Sequence, residues 1–235
     1  MTCIVWLAMS GGLLPALPAA AADVTGSLAI TTDYIYRGTS QTAGKPAAQA
    51  GVQFHSTDGW NAGLWTSSVD FQNGRGRAYE LDLHGGYSWA LTPDWAAQVG
   101  YVHYAYFDDG DAGYDYDELT ASLSYQQRAT ASIAWSPNTS KYTYWGFIAD
   151  KRTLAYELSV LQPVSPRWSL CGGVGYYDLR DLIDTGYWYW SAGVAFTWQG
   201  MQVDLLHIDT DSTAKRVFEL AGAGSRWTAA LTWRF

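Results

Sequence analysis

Residues 227–235 read Trp-Thr-Ala-Ala-Leu-Thr-Trp-Arg-Phe, and this closing segment decides the fold class. Its residues alternate between apolar and small or polar side chains, which is the period-two pattern of a strand with one apolar and one wet face. A strand of a soluble β-sandwich shows the same alternation. A last strand that stops on Phe favours an outer-membrane barrel, in which it must pair with the first strand. The predicted barrel-closing residues are Trp227, Leu231, Trp233 and Phe235.

The composition supports the same fold class. The chain has 13 Trp and 17 Tyr, and its hydrophobic residues, 48% of the total, are dispersed. After the first residues no run approaches the roughly 20 apolar residues of a spanning helix. Aromatic residues without long apolar runs are typical of a barrel with two aromatic girdles, although a large aromatic β-sandwich remains the alternative. The net charge of −8 without a basic patch argues against nucleic acid as a partner.

The first 22 residues predict an export signal. An apolar stretch over 4–14 leads to prolines and then to Ala20-Ala21-Ala22, a small-residue cleavage pattern. No Lys or Arg precedes Arg37, so the positive start of a usual signal is missing. The predicted organisation is a signal peptide at 1–22 and one barrel domain at 23–235.

Period-two reading predicts an all-β fold, an antiparallel transmembrane barrel of about twelve strands. The first predicted strand spans 24–36 and places Tyr34 and Tyr36 on the lipid face, with Asp33 and Arg37 on the inner face. Short and long connections alternate along the chain, which predicts short periplasmic turns and longer extracellular loops. The stretches 137–152, 179–186 and 212–224 are among the predicted long loops.

The opening of the predicted domain carries a family resemblance. The segment Thr32-Asp-Tyr-Ile-Tyr-Arg-Gly-Thr-Ser-Gln41, followed by Lys45-Pro46, resembles the first motif of the TorF family of proteobacterial outer-membrane porins. The stretches 63–71, 79–87 and 114–119 resemble later strands of that family. The resemblance implies a barrel and a porin-like role, and it supplies no catalytic residues.

The polar face of the predicted strands defines the candidate site. Arg37 is expected to neutralise one of the adjacent acids Glu80 and Asp82. Acidic side chains around a lumen favour cations, and twelve strands enclose a narrower space than the 16–18 of wide porins. The sequence therefore predicts a narrow, acidic, cation-preferring channel for small solutes or ions, with a plugged structural or adhesive barrel as an alternative. The predicted pore-lining residues are Asp33, Arg37, Gln49, Gln53, His55, Glu80, Asp82, His84, Glu118 and Glu157.

A second alternative is a lipid or peptide hydrolase at the barrel rim. Asp82 and His84 lie two apart on one face, where an acid can orient a basic His. No Gly-x-Ser-x-Gly motif occurs, and the sequence shows no Ser or Asp partner for His207, so the prediction is a protein without enzymatic activity. The acidic stretch 108–117 lacks the EF-hand pattern, and neither a metal site nor a cofactor is predicted.

The predicted location is the outer membrane of a Gram-negative cell. The expected partners are membrane lipids, the barrel-assembly machinery acting through the C-terminal strand, and small solutes or ions.

Overall fold

The fold is a closed antiparallel β-barrel of twelve long strands, as the sequence predicts. The computed structural model describes residues 22–70, 78–107, 114–143, 146–218 and 222–235. All but the last residue of the predicted export signal therefore lie outside the described residues. No helix in the described part of the chain is both long enough and apolar enough to cross a membrane.

Each barrel strand pairs with the barrel strands that precede and follow it along the chain. Between the first two of them, β2 (Ile35–Tyr36) and β3 (Thr39–Ser40) form a separate two-stranded hairpin. The short helices are α1 (Arg180–Ile183) and α2 (Ser212–Val217). The barrel strands are β1 (Asp23–Thr31), β4 (Ala47–His55), β5 (Trp60–Val69), β6 (Ala78–Ala90), β7 (Trp95–Phe107), β8 (Tyr116–Tyr125), β9 (Ala129–Thr143), β10 (Gly146–Pro163), β11 (Trp168–Leu179), β12 (Thr185–Trp198), β13 (Met201–Thr210) and β14 (Arg226–Arg234).

The two ends of the chain close the barrel. The strands β1 and β14 pair antiparallel, with Leu28 opposite Trp233. Beyond the last assigned strand residue, the Gly26 N–H donates to the Phe235 carbonyl at 2.7 Å and the Phe235 N–H donates to the Gly26 carbonyl at 3.0 Å. The terminal Phe is thus part of the hydrogen-bonded seam, and closure leaves no free sheet edge between the first and last strands.

The connections separate the two ends of the barrel. Both termini and the short connections, such as 126–128 and 199–200, lie at one end, called here the turn end. The longer connections lie at the other, the loop end. The predicted loop at 137–152 is wrong, because β9 and β10 continue to Thr143 and from Gly146 and form a long hairpin. The predicted loops at 179–186 and 212–224 each contain a short helix.

The outer surface is a band of aliphatic side chains between aromatic clusters. Leu64 and Leu83, for example, are exposed in the middle of neighbouring strands. Aromatic pairs mark the turn end, among them Trp60 with Tyr87 at 5.0 Å between ring centroids. The sequence leaves the lipid face of residues 187–190 unassigned, and in the structure their side chains alternate between the interior and the outer surface. The two tyrosines are buried inside and the two tryptophans are exposed outside.

Candidate functional site in the barrel interior

The site is built around the connection between β1 and β4, residues 32–46, which folds into the barrel and is called here the inner loop. The predicted first strand over 24–36 is wrong at its end, because β1 stops at Thr31, whose hydroxyl donates to the Asp33 carbonyl at 2.8 Å. Arg37 (φ 47°) and Gly38 (φ 79°) form the two-residue turn of the β2–β3 hairpin. Tyr34, predicted to face lipid, is only 4% exposed.

Arg37 carries the central ion pair. Its guanidinium donates to both carboxylate oxygens of Glu118 on β8, at 2.7 and 3.0 Å. The same guanidinium lies 4.7 Å from the ring centroid of Tyr36 and 4.5 Å from that of Tyr177. A bidentate pair between aromatic faces is the geometry that suits arginine and that lysine cannot reproduce. The expectation that Arg37 would neutralise Glu80 or Asp82 is therefore wrong.

Tyrosines extend this pair across the interior. The Tyr104 hydroxyl donates to Glu118 at 3.1 Å and lies 3.1 Å from the Tyr36 hydroxyl. Tyr116 stacks on Tyr104 with 4.2 Å between ring centroids, and its hydroxyl donates to Tyr36 at 3.2 Å. The inner loop is thus held against β7 and β8 by hydroxyl groups as well as by charge.

A second ion pair holds the start of the inner loop against the opposite wall. Arg226 on β14 donates to Asp33 at 2.8 Å, and both side chains are largely buried. The other oxygen of Asp33 accepts from Ser40 at 2.5 Å and from Thr42 at 2.8 Å. The loop therefore bridges the barrel between β14 and β8.

Gly38 sets how closely the inner loop approaches the wall. A Cβ atom there would lie 2.6 Å from the Tyr189 Cβ and 2.7 Å from the Thr210 methyl. We expect Gly38→Ala to lower the thermal unfolding midpoint in detergent, because it combines a positive φ, costing about 1–2 kcal/mol, with this crowding. Gly44→Ala is the matched control, since Gly44 has φ +75° and a Cβ atom there would meet no atom within 4 Å. Equal losses in the two variants would contradict tight docking at Gly38.

Glu80 and Asp82 on β6 form an acidic pair beside the inner loop. Glu80 is 1% exposed and Asp82 is fully buried. One Glu80 oxygen accepts from the Tyr106 hydroxyl at 3.1 Å. The other Glu80 oxygen and both Asp82 oxygens have no hydrogen-bond partner.

The remaining predicted lining residues also point inward. Gln49 donates to Ser67 at 3.3 Å, and Glu157 accepts from the Tyr189 hydroxyl at 2.7 Å. His84 shares a 2.7 Å hydrogen bond with Gln53, so it does not pair with Asp82 as the hydrolase alternative requires. His55 lies on the same face of β4 at the turn end. The ten side chains thus lie inside the barrel, although Asp33 and Arg37 reach it from the inner loop and not from a strand.

Sequence reasoning missed the inward tyrosines and two inward arginines. Arg226 and Arg234 flank the outward Trp227 and Trp233 on β14, and Arg234 donates to Gln202 at 2.9 Å. The signal was available in the closing strand, where period two places both arginines on the wet face. The missed tyrosines gave no such signal, because they continue an apolar or aromatic pattern: Tyr34, Tyr36, Tyr104, Tyr106, Tyr116, Tyr177, Tyr187 and Tyr189.

Two histidine contacts lie on the outer face near the loop end. His103 lies 2.8 Å from Asp117, and His207 lies 2.9 Å from the Ser225 hydroxyl, a partner that the sequence did not reveal. Among the described residues, no carboxylate hydrogen-bonds to His207. The Ser225–His207 pair therefore lacks the orienting acid of a hydrolytic triad.

Comparison with known proteins gives a family and a fold. Residues 15–234 match the model of a bacterial protein family described as being of unknown function, Gcw_chp. None of the curated proteins matches the sequence. Among solved structures, the NanC porin gives a TM-score of 0.59 at 8% identity, covering 89% of this chain and 98% of its own.

Two further structures have the same architecture. The KdgM porin in complex with disordered oligogalacturonate gives a TM-score of 0.53 at 5% identity, covering 92% of this chain and 99% of its own. An outer-membrane channel from Pseudomonas putida F1 gives 0.52 at 9% identity, covering 92% and 96%. At these identities the likeness establishes the shared barrel fold and nothing about the solute.

Proposed function

Since the chain belongs to the Gcw_chp family, whose function is unknown, we propose from its interior that it is an outer-membrane channel. Its passage is narrow, acidic and cation-preferring, and it serves small solutes or ions. The TorF resemblance of residues 32–46 and the porin architecture of the structural neighbours support this proposal.

The observation that most strongly supports this proposal is the charge balance inside the barrel. Among the described residues, the inward carboxylates are Asp33, Glu80, Asp82, Glu118, Glu157 and Asp204, and the inward arginines are Arg37, Arg226 and Arg234. Two of these arginines are engaged in ion pairs, with Glu118 and Asp33. The surplus is negative, and fixed negative charge around a passage favours cations.

The inner loop determines the width of the passage. It bridges the interior between Arg226 on one wall and Glu118 on another. A twelve-stranded barrel is already narrower than wide porins, and a loop across it leaves less room. Small conductance and exclusion of bulky solutes follow from this arrangement.

The charge pattern also argues against an anionic solute. The KdgM porin was solved with an oligogalacturonate, which is an acidic sugar chain. A comparable anion in this barrel would need cationic groups free to bind it. Arg37 already donates to both oxygens of Glu118 and Arg226 to Asp33, so Arg234, which donates to Gln202, is the one inward arginine of the described chain outside these ion pairs.

The outer surface supports the membrane location and the partners. An aliphatic band between aromatic clusters suits lipid, and the seam made by Phe235 suits recognition of the C-terminal strand by the barrel-assembly machinery. Residues 1–22 would direct export. We propose no enzymatic activity, because His84 bonds to Gln53 and the Ser225–His207 pair lacks an acid.

Uptake into proteoliposomes tests the function. Vesicles holding the purified protein should take up a small organic cation several-fold faster than an anion of equal size. Protein-free vesicles give the background rate. Equal rates for the two ions would contradict a selective lumen, and background rates for both would favour the plugged barrel instead.

A further inference from the structure

Three of the four carboxylate oxygens of the acidic pair on β6 are buried without a hydrogen-bond partner. Glu80 and Asp82 lie on the inner face, opposite Tyr106 and Tyr104 on β7. Neither carboxylate forms an ion pair with a Lys, Arg or His of the described chain. Two buried carboxylates without a cation are costly, because each loses its hydration and they repel each other.

The inner loop adds a third oxygen group to this place. Tyr34 packs edge-on against Trp65, at 5.3 Å between ring centroids, and Trp65 is the cross-strand partner of Asp82. The buried Tyr34 hydroxyl has no partner in good hydrogen-bonding geometry, and it lies close enough to Glu80 and Asp82 to interact with both carboxyl groups. Four buried oxygen atoms without partners therefore converge: one from Glu80, two from Asp82 and one from Tyr34.

A proton shared by the two carboxyl groups supplies one donor and the Tyr34 hydroxyl supplies another, which is enough for the two oxygens that remain as acceptors. The pair would then still carry one buried negative charge with no cation beside it. Water would add donors but would leave two like charges buried together. A bound cation neutralises the charge and coordinates the oxygens at once.

We propose that Glu80, Asp82 and Tyr34 form a binding site for a divalent, oxygen-seeking cation of the Ca²⁺ class. Ca²⁺ accepts carboxylate and other oxygen ligands in flexible geometry and keeps waters in the remaining positions. Two carboxylates match its charge. Mg²⁺ demands stricter octahedral geometry and is the weaker candidate.

Such a site would tie the inner loop to the barrel wall. Tyr34 comes from the loop, whereas Glu80 and Asp82 come from β6. Cation binding would therefore stabilise the loop in its inward position by mass action. The site concerns binding alone, so it stands whether or not the barrel conducts.

Tb³⁺ luminescence and thermal unfolding test the site on the purified protein in detergent. Tb³⁺ should be sensitised by excitation of Trp65 and Tyr34, and Ca²⁺ should displace it. Ca²⁺ should also raise the unfolding midpoint by several degrees over protein in EDTA. Asp82→Asn should abolish the Ca²⁺ shift and weaken Tb³⁺ binding by about tenfold or more, since it removes one of the two charged ligands.

Two further variants keep the test decisive. Tyr34→Phe retains the ring against Trp65 and removes only the hydroxyl, so it should fold and bind Tb³⁺ more weakly. Asp115→Asn, within the acidic stretch at 108–117, is the control and should leave the response intact. Loss of the response in Asp115→Asn with retention in Asp82→Asn would assign the cation to that stretch and overturn the proposal. Stability that depends on pH but not on Ca²⁺ would overturn it in favour of a shared proton.

Discussion

Arg37→Ala is expected to destabilise the barrel and to widen its passage. Arg37 and Glu118 are both buried, and removing one partner of a buried pair leaves an unpaired charge, at a cost of about 3–5 kcal/mol. The inner loop also loses the guanidinium that lies against Tyr36 and Tyr177. Single-channel conductance should rise, and cation preference should increase because one positive charge leaves the lumen.

Matched variants separate charge from geometry in this prediction. Arg128→Ala removes an exposed arginine from a turn at the other end of the barrel and should change neither stability nor conductance. Arg37→Lys keeps the charge but loses the bidentate geometry, so it should fall between the wild type and Arg37→Ala. Unchanged stability and conductance in Arg37→Ala would remove Arg37 from the constriction.

Leu83→Arg is expected to cost about 2–4 kcal/mol of folding stability in lipid, the penalty for Arg near the midplane of a barrel's lipid face. Leu83 is 42% exposed on the outer surface of the described barrel, in the middle of β6. In water an arginine at such a position costs little, since surface substitutions usually lie within about 0.5 kcal/mol. Urea unfolding of the variant in lipid vesicles therefore reports the environment of the outer face.

Leu91→Arg is the control for that experiment. Leu91 is similarly exposed but lies in the turn between β6 and β7, where the cost near the membrane interface is about 0–1 kcal/mol. A large difference between the two variants is the expected result. Equal, small losses would mean that the outer face is not embedded in lipid.

The closing strand is where sequence reasoning worked best. The alternation from Trp227 to Phe235 requires only that one face be apolar and the other wet, and the structure pairs this strand with β1. Period two is a local property of an extended chain, so it assigns faces reliably where both faces have constant surroundings. The same reasoning places Glu80, Asp82 and Glu118 inside.

The inner loop is where that reasoning failed. Tyr34 and Tyr36 continue the alternation of β1, yet the chain leaves the barrel wall after Thr31 and turns inward. A tyrosine suits lipid interfaces and buried polar clusters equally well, so its side chain does not distinguish them. The dipeptide Arg37-Gly38 was the available signal, because Gly readily adopts the positive φ that a two-residue hairpin turn requires.

The prediction of a loop at 137–152, where the structure has the β9–β10 hairpin, failed for a related reason. Pro137 and Asn138 read as turn residues, but the register between β9 and β10 shifts near them, where a proline can be accommodated. The partners in the ion pairs could not be predicted from the sequence either. The pairing of Arg37 with Glu118 depends on how the loop crosses the barrel, and no local pattern encodes that distance.

The proposed cation preference is tested by the reversal potential of single channels in a KCl gradient. We expect small discrete currents whose reversal potential has the sign of K⁺ over Cl⁻, because the described lumen holds more carboxylates than arginines. A reversal potential near zero, or one with the sign of Cl⁻ preference, would contradict it. A correctly folded barrel that passes no current would contradict it as well.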